Sequence, residues 1–266
     1  FMKEIYVDHA ATTRPLQVVA EKMMQVMLED YGNPSSYHKM GLQAEKYIKE
    51  ASIYFAQVLQ GSPDEIIYTS GGTESNNMAI IGTALAYQRI GKRIITTQIE
   101  HSSVKEAFNY LESQGFEVIY LSVDHQGYVN INQLANSMND QTTLVSIMHV
   151  NNEIGTIQEI EKIGTLIKEK KPNTHFHVDG VQSFGKIPIN RKRAAIDLFS
   201  ISGHKIYGPK GVGLLYKNKN TRMHPLILGG GQQQGYRSGT ENVPGIVGIH
   251  EAAKQAITNL NQDVDQ

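Results

Sequence analysis

The chain is 266 residues long, which is enough for one large α/β domain or for two ordinary domains. It is 40% hydrophobic and 19% charged, a composition that argues against disorder or a fibrous repeat. Its 25 Lys and Arg and 26 Asp and Glu give a formal net charge of -1, which argues against a protein that binds nucleic acid or an anionic membrane surface. The sequence contains no cysteine, so disulfides, thiolate metal sites and a thiol nucleophile within these residues are excluded.

Short β-rich runs alternate with helical segments along the chain, which is the pattern of an α/β domain. The predicted strands, in chain order, are 65–69, 93–98, 117–122, 143–149, 175–179, 198–202 and 213–216. Helices are predicted at 75–87, 103–113, 131–138 and 160–170, and a last one from Gly245 onward. Because strand residues such as 144–148 are apolar on both faces, we expect a sheet covered by helices on two sides, in one large domain.

Nothing in the sequence indicates a membrane span or a secretory signal. The uncharged stretch 75–88 is too short to cross a bilayer and carries amide side chains. No basic-then-apolar run precedes the first predicted strand. We therefore expect a cytoplasmic protein.

Residues 70–75, Ser-Gly-Gly-Thr-Glu-Ser, follow a predicted strand and open a predicted helix. Glycines let a phosphate approach the backbone, the helix N-terminus favours an anion, and Thr73 adds a hydroxyl donor. The loop matches neither the dinucleotide fingerprint nor the P-loop, because their glycine spacings and the P-loop lysine are absent. An ordinary glycine turn with a Thr or Ser cap explains the loop equally well.

Asp179 ends an apolar strand, where an unpaired carboxylate is costly to desolvate. It therefore requires a cationic or strongly donating partner. A protonated pyridine nitrogen would serve, but from the residues alone a structural partner is the better explanation.

Lys205 follows a predicted buried strand and has Ser202 and His204 beside it, which is an unusual place for a solvated lysine. If burial and neighbouring positive charge lower its pKa, its amine can form a Schiff base with a carbonyl. Ser202 and His204 offer donors to a phosphate. Lys210 lies in a Gly-Pro turn and is expected at the surface.

Most of the ten histidines are expected to be structural or exposed. His101 follows a strand and opens a helix, where its ring could stack on a planar cofactor. His175 and His177 have the spacing of metal ligands on one strand face, but no third ligand stands at a convincing spacing, so no metal is predicted. The loops 229–232 and 237–240 could bind anions or could be simple glycine turns.

Motifs spread along the chain, taken together and in this order, resemble the fold-type I pyridoxal-phosphate enzymes of aminotransferase class V. The resemblance is closest to the cysteine desulfurases of the NifS/IscS type. The motifs lie at 6–13 (Tyr-Val-Asp-His-Ala-Ala-Thr-Thr), 32–36 with His38 (Gly-Asn-Pro-Ser-Ser), 72–77 (Gly-Thr-Glu-Ser-Asn-Asn), 100–101 with 148–155, 177–182 (His-Val-Asp-Gly-Val-Gln), 202–211 and 237–242 (Arg-Ser-Gly-Thr-Glu-Asn).

The resemblance implies a three-layer fold-type I large domain with a mostly parallel sheet at residues 16–250. Residues 1–15 would be an N-terminal arm that joins a small domain, and residues 251–266 would begin a linker helix to it. The family's nucleophilic cysteine and a substrate-carboxylate arginine belong to that C-terminal small domain, which we expect to be missing. The chain would then be a fragment, inactive by the persulfide route on its own.

The resemblance also implies roles for individual residues around pyridoxal 5′-phosphate. Lys205 would hold the cofactor and act as the base at Cα, and Asp179 would keep the pyridine nitrogen protonated. His101 would stack on the ring and assist proton transfer. Gln182 would donate to the phenolic oxygen, and Asn152 would lie near that oxygen and the substrate carboxylate. The phosphate would be held by Gly72, Thr73, Ser202 and His204, and in a homodimer by Thr240 of the neighbouring subunit.

The implied reaction converts L-cysteine to L-alanine and passes persulfide sulfur to an acceptor protein, such as an iron–sulfur scaffold or a tRNA-thiolation enzyme. No direct nucleic-acid or membrane partner is implied. Two alternatives stay open: a cysteine-independent class V enzyme such as a selenocysteine lyase, and a non-catalytic dimerisation or partner-binding module. The module would be colourless, whereas an enzyme with its cofactor on Lys205 would absorb visible light.

Overall fold

The centre of the fold is a seven-stranded sheet, seen in a computed structural model that describes residues 5–264 and side chains as far as residue 260. The strands are β1 (Ile66–Thr69), β2 (Arg93–Thr97), β3 (Glu117–Leu121), β4 (Thr142–Met148), β5 (His175–Asp179), β6 (Leu198–Ser202) and β7 (Gly213–Lys217). Their spatial order is β1-β7-β6-β5-β4-β2-β3. Only β7 runs against the others, so the sheet is mostly parallel, as expected. Every predicted strand is confirmed, with ends that differ by at most one residue.

Helices cover both faces of the sheet and make a three-layer α/β domain. They are α1 (Gln17–Leu28), α2 (Lys39–Val58), α3 (Gly72–Asn77), α4 (Thr83–Tyr87), α5 (Ser102–Ser113), α6 (Ile131–Ser137), α7 (Ile160–Lys170) and α8 (Val243–Val264). One apolar cluster joins residues 78–84 and α5 to the sheet through residues such as Met78 and Phe108. The other cluster joins α2, α7 and α8 to the opposite face, around Phe55 and Phe176. None of the helices described is long and apolar enough to cross a membrane.

The helix predicted at 75–87 starts three residues earlier and changes pitch on its way. A π-helical turn, Met78–Gly82, joins α3 to α4 without a break in helical backbone. The predicted start is wrong because glycines are poor helix formers and were assigned to the loop. Gly72 is needed inside the first turn, since a Cβ there would lie 2.8 Å from Val181 Cγ2.

The last helix, α8, runs through the predicted boundary between residues 250 and 251. Ala252 and Ala253 are fully buried and pack in the same core as Phe55, so residues just beyond the boundary belong to this core. The division into a large domain and a linker helix stays a prediction. Residues 1–4 of the predicted arm and residues 265–266 of the predicted linker lie outside the described part of the chain.

Candidate functional site

A cavity of about 520 Å³ opens at the carboxyl ends of β5 and β6. Open α/β sheets bind ligands at this edge, and the volume suits a cofactor-sized molecule. Nine of the ten residues predicted to hold a cofactor line it: Gly72, Thr73, His101, Asn152, Asp179, Gln182, Ser202, His204 and Lys205. The tenth, Thr240, is exposed and does not line the cavity. Residues that lie up to 133 positions apart in the sequence, from Gly72 to Lys205, therefore converge at one place.

Asp179 lines this cavity with only 5% of its surface exposed. Its Oδ1 accepts the Val181 N–H at 3.0 Å, and its Oδ2 accepts the Asn76 side-chain amide at 2.8 Å. Burial raises the pKa of Asp179, while these two hydrogen bonds and the charge of Lys205 act against the rise. Among the described residues Asp179 makes no ion pair, so its structural partners are neutral donors.

Lys205 reaches into the cavity from the turn that follows β6. Its Nζ donates to the carbonyl oxygens of Ala10 at 2.5 Å and Ala11 at 2.8 Å. Burial lowers the pKa of Lys205, as expected, but its charged neighbours are the acidic Asp8 and Asp179, which oppose that change. Positive charge is also close by, since the charge of Lys205 contributes to the lowered pKa of Lys186. Lys210, in the same loop, is exposed as predicted.

The N-terminal arm supplies an unforeseen part of the site. The Ala10 carbonyl that accepts from Lys205 also accepts the Gln182 side-chain amide at 2.9 Å. The arm is held there by Thr13, whose N–H and hydroxyl both donate to the His204 carbonyl oxygen at 2.9 Å. The described part of the arm thus packs directly against three of the predicted site residues, Gln182, His204 and Lys205.

Four residues that line the cavity offer donors suited to a phosphate. Gly72 and Thr73 form the first turn of α3, where helical N–H groups lack partners within the helix. Ser202 and His204 approach from the end of β6, and Ser202 is buried. Burial, followed by the charges of Lys205 and Lys210, lowers the pKa of His204.

His101 lies at the N-cap of α5 with its ring on the cavity wall. Its Nδ1 accepts the Ser103 N–H at 3.1 Å and lies 2.8 Å from Ser103 Oγ. Ser103 Oγ in turn accepts from the Asn76 amide at 2.9 Å. Asn76 and Ser103 were not predicted as site residues, although Asn76 stands inside the quoted 72–77 motif.

Glu100, next to His101, is 3% exposed and holds the loop before α5 against β4. Its Oε1 accepts the Thr97 hydroxyl at 2.7 Å and the Met148 N–H at 3.0 Å. Its buried Oε2 has no hydrogen-bond partner in the described structure. Burial raises the pKa of Glu100 to about 8.

The two histidines with metal-ligand spacing serve the packing of the sheet. Both ring nitrogens of His177 bond to buried hydroxyls, Nδ1 to Ser146 at 2.8 Å and Nε2 to Ser200 at 3.0 Å. His175 contacts the Thr221 hydroxyl and packs on the Tyr87 ring. Within the described residues, no group of three or more His, Asp, Glu or Cys side chains could hold a metal ion.

The loop 237–240 was considered as an anion site, but its arginine, Arg237, forms an ion pair with Glu74. Arg237 Nε donates to Glu74 Oε1 at 2.8 Å, so its charge is already neutralised. A larger and more open groove of about 920 Å³ runs along α7, but none of the predicted site residues lines it.

Comparison with known proteins places this geometry in a family. The model of the aminotransferase class-V family matches residues 5–264. The cysteine desulfurase IscS of Dictyoglomus turgidum (strain DSM 6724 / Z-1310) is 47% identical over 264 residues, which are 99% of this chain and 66% of that protein. The chain spans 64–66% of the length of the first curated relatives it matches.

Two solved structures share the fold at high sequence identity. A NifS-like protein is 44% identical, with a TM-score of 0.95 over 98% of this chain and 71% of that one. SspA in complex with cysteine is 41% identical, with a TM-score of 0.90 over 94% of this chain and 72% of that one. Since the family match extends over nearly all described residues and the fold agrees, the chain belongs to the class V aminotransferase family.

Proposed function

We propose that the cavity binds pyridoxal 5′-phosphate and that the chain is the cofactor-binding part of a cysteine desulfurase. Enzymes of this family depend on that cofactor. The proposal is carried by one observation: Asp179, a buried carboxylate with only neutral donors in the described structure, shares a cavity with the Nζ of Lys205. A ligand with a cationic ring nitrogen and a carbonyl carbon satisfies both groups.

Other residues that line the cavity fit the rest of the cofactor. The unpartnered N–H groups of the first turn of α3 and the side chains of Ser202 and His204 suit a phosphate. Gly72 leaves room for a close approach, because a side chain there would press on Val181. The volume of about 520 Å³ accommodates the cofactor together with a small amino acid.

The bound cofactor would supply an electron sink for the α-carbon of an amino acid. Asp179 would accept the N–H of the ring nitrogen and so hold that proton in place. Lys205 would bind the cofactor through Nζ and, once released, take the proton from the α-carbon. Because burial lowers the pKa of Lys205, a larger share of its amine is free to act as a base.

The remaining residues would orient the two molecules. Gln182 would donate to the phenolic oxygen of the cofactor with the amide hydrogen that Ala10 does not use. Asn152 would lie near that oxygen and the carboxylate of the amino acid, and His101 would stack on the ring. These roles rest on the family resemblance and on the shared cavity.

The proposed substrate is L-cysteine and the proposed product L-alanine. The relative SspA was solved in complex with cysteine, which supports this substrate class. Because this sequence has no cysteine, the thiol that receives the sulfur as a persulfide lies outside these residues. From there the sulfur would pass to an acceptor protein, an iron–sulfur scaffold or a tRNA-thiolation enzyme. The exposure of Thr240 supports its proposed contact with the phosphate of a second copy in a homodimer.

Attachment of the cofactor tests the site. The chain is mixed with pyridoxal 5′-phosphate, reduced with borohydride, weighed intact and digested for peptide mapping. We expect one reduced cofactor on Lys205, none in Lys205→Ala, and parental labelling in the control Lys210→Ala, whose lysine is exposed in the same loop. Attachment at another lysine, or a chain that stays colourless, would contradict the proposal and favour the non-catalytic module.

The reaction is tested by hydrogen exchange at Cα of L-cysteine and L-alanine in D₂O, followed by NMR. We expect exchange in the parent, loss of exchange in Asp179→Ala, and parental exchange in Asp124→Ala, whose carboxylate is exposed. Exchange that continues in Asp179→Ala would remove Asp179 from its assigned role. Alanine formation from L-cysteine by this chain, which has no thiol of its own, with the sulfur passing to a second L-cysteine as a persulfide, would favour the cysteine-independent alternative.

A further inference from the structure

A line of hydrogen bonds joins Asp179 to His101 through two side chains that the proposed function does not use. Asn76 Nδ2 donates to Asp179 Oδ2 at 2.8 Å and to Ser103 Oγ at 2.9 Å. Ser103 Oγ lies 2.8 Å from His101 Nδ1. Asn76 is 1% exposed and Ser103 is 7% exposed, so water does not compete freely for these bonds.

The direction of donation is fixed at the Asn76 end. Both hydrogens of the Asn76 amide are used, one on each neighbour. The reverse orientation would place the amide oxygen against the carboxylate oxygen of Asp179, which is repulsive. The Oδ1 of Asn76 is buried without a partner in the described structure, so no other bond holds the amide in the reverse sense.

The direction is also fixed at the His101 end. The backbone N–H of Ser103 points at His101 Nδ1 from 3.1 Å, and an N–H cannot face another N–H, so Nδ1 carries no proton. Ser103 Oγ accepts from Asn76 and is therefore free to give its own hydrogen to Nδ1. A neutral imidazole with an unprotonated Nδ1 carries its hydrogen on Nε2. This Nε2 makes no hydrogen bond to any described residue, and the ring lines the cavity.

We propose that Asn76 and Ser103 are positioning residues that lock neutral His101 in the Nε2–H tautomer. Held this way, His101 presents a hydrogen donor to the cavity, and it suits a ligand atom that bears a lone pair or negative charge. The same Asn76 amide holds the Asp179 carboxylate, so one side chain orients both groups. The tautomer follows from this chain alone, whereas its use on an amino acid bound to pyridoxal 5′-phosphate rests on the proposed function.

The tautomer is measured directly by ¹⁵N–¹H correlation of the histidine side chains in the purified chain at neutral pH. The His101 signals are identified by their loss in His101→Gln. We expect Nδ1 to resonate as an unprotonated, hydrogen-bonded nitrogen and Nε2 as a protonated one. The opposite pattern, or averaged positions that indicate a mixture of tautomers, would overturn the proposal.

Two variants test which residues impose the tautomer. Asn76→Ala and Ser103→Ala should each move the two His101 nitrogens part of the way toward averaged positions, because the Ser103 hydroxyl no longer supports Nδ1 while the Ser103 backbone N–H still faces it. Asn77→Ala is the matched control, because Asn77 is the next residue of α3 and donates only to backbone carbonyls, those of Thr73 and Ser103. If both variants keep the parental shifts, Asn76 and Ser103 do not act as positioning residues. If Asn76→Ala fails to fold, the spectra of Ser103→Ala and of the parent still test whether the tautomer is imposed as proposed.

A second spectrum with pyridoxal 5′-phosphate added separates this inference from the proposed function. The Nε2–H tautomer should be present both before and after the addition. A chain that shows this tautomer but does not bind the cofactor would refute the proposed function and leave the inference standing. A chain that binds the cofactor through Lys205 but shows the other tautomer would refute the inference and leave the proposed function standing.

Discussion

Arg237 and Glu74 form a half-buried ion pair, with Nε and Oε1 2.8 Å apart, that ties the loop before α8 to the first turn of α3. Glu74 also accepts the Ser70 N–H at 2.8 Å, so the same carboxylate shapes the glycine loop. Although burial acts in the opposite direction, these contacts lower the pKa of Glu74. The pair therefore braces the end of the cavity proposed to hold a phosphate.

We expect Arg237→Ala to lower the free energy of unfolding by about 1–3 kcal/mol, because it leaves a half-buried carboxylate without its cation. The variant should also bind pyridoxal 5′-phosphate less tightly. Urea unfolding and a cofactor titration measure the two effects. Arg193→Ala is the control: Arg193 also pairs with a glutamate at 2.8 Å but is 72% exposed, so its loss should cost less than about 1 kcal/mol. Equal losses in the two variants would contradict the bracing role.

The buried Glu100 should make stability depend on pH. Its pKa is raised in the folded chain from the ordinary 4.5 to about 8, so the protonated form is favoured by folding. The contribution of Glu100 to the free energy of unfolding is fully present below about pH 4.5 and is lost as the pH rises toward 8. One pKa unit corresponds to about 1.4 kcal/mol, so the loss is of the order of a few kcal/mol.

Glu100→Gln keeps the acceptor for Thr97 and Met148 but cannot ionise. Urea unfolding between pH 5 and 8 should therefore give a difference, variant minus parent, that grows in favour of the variant as the pH rises. Buried histidines such as His149, whose pKa is lowered to about 4 by burial, make stability change with pH in the opposite direction. Their contribution is the same in both proteins and therefore drops out when the parent is subtracted from the variant. Charges near Glu100 are those of Asp179 and Lys105. A difference that stays constant with pH would show that Glu100 is ionised in the folded chain.

Gly180 follows Asp179 directly, and a Cβ at this position would overlap the ring of the buried Phe199. We expect Gly180→Ala to cost about 1–3 kcal/mol by overpacking. Adding Phe199→Leu, which destabilises the parent, should recover stability in the Gly180→Ala background. The coupling in this double-mutant cycle should reach at least about 1 kcal/mol.

Gly155→Ala is the control for that cycle. Gly155 has a φ of +72° but nothing within 4 Å of its Cβ position, so its loss costs only about 1–2 kcal/mol of backbone strain. Phe199→Leu should not rescue it. Purely additive effects of Gly180→Ala and Phe199→Leu would mean that the sheet moves aside at Gly180.

His177→Ala should be strongly destabilising, because it leaves the buried hydroxyls of Ser146 and Ser200 without their shared partner. Each unsatisfied group costs about 1–3 kcal/mol. Urea unfolding should show a loss at least as large as one such group, against less than about 0.5 kcal/mol for the exposed His125→Ala. A small loss would show that the two hydroxyls find other partners.

The strands could be predicted because their apolar runs are bounded by polar and glycine residues, and the structure moves no strand end by more than one residue. The convergence of Asp179 and Lys205 could also be anticipated, since Asp179 ends one strand and Lys205 follows a parallel strand, and the carboxyl ends of parallel strands meet at one edge. The start of α3 could not, because the need for Gly72 arises from its contact with Val181, which lies far along the chain.

Hydrogen bonds and ion pairs between residues far apart in the sequence could not be predicted from sequence patterns. Asn76 meets Asp179 across 103 positions, and Arg237 meets Glu74 across 163. No local period or spacing records such pairs. The influence of Asp8 on Lys205 was missed for the same reason, since Asp8 approaches it only through the fold of the N-terminal arm.

Ser202 at the end of β6 pairs directly with Gly213 at the start of β7. The loop that carries Lys205 is therefore closed at its base by the sheet, and both strands are buried from end to end. Amide hydrogens of β6 and β7 should exchange with solvent only when the whole sheet opens, at the slowest rates in the chain. The lysine is thus held by one of the last parts of the protein to unfold, whereas the Ala10 and Ala11 carbonyls that it contacts lie outside the sheet, in the N-terminal arm.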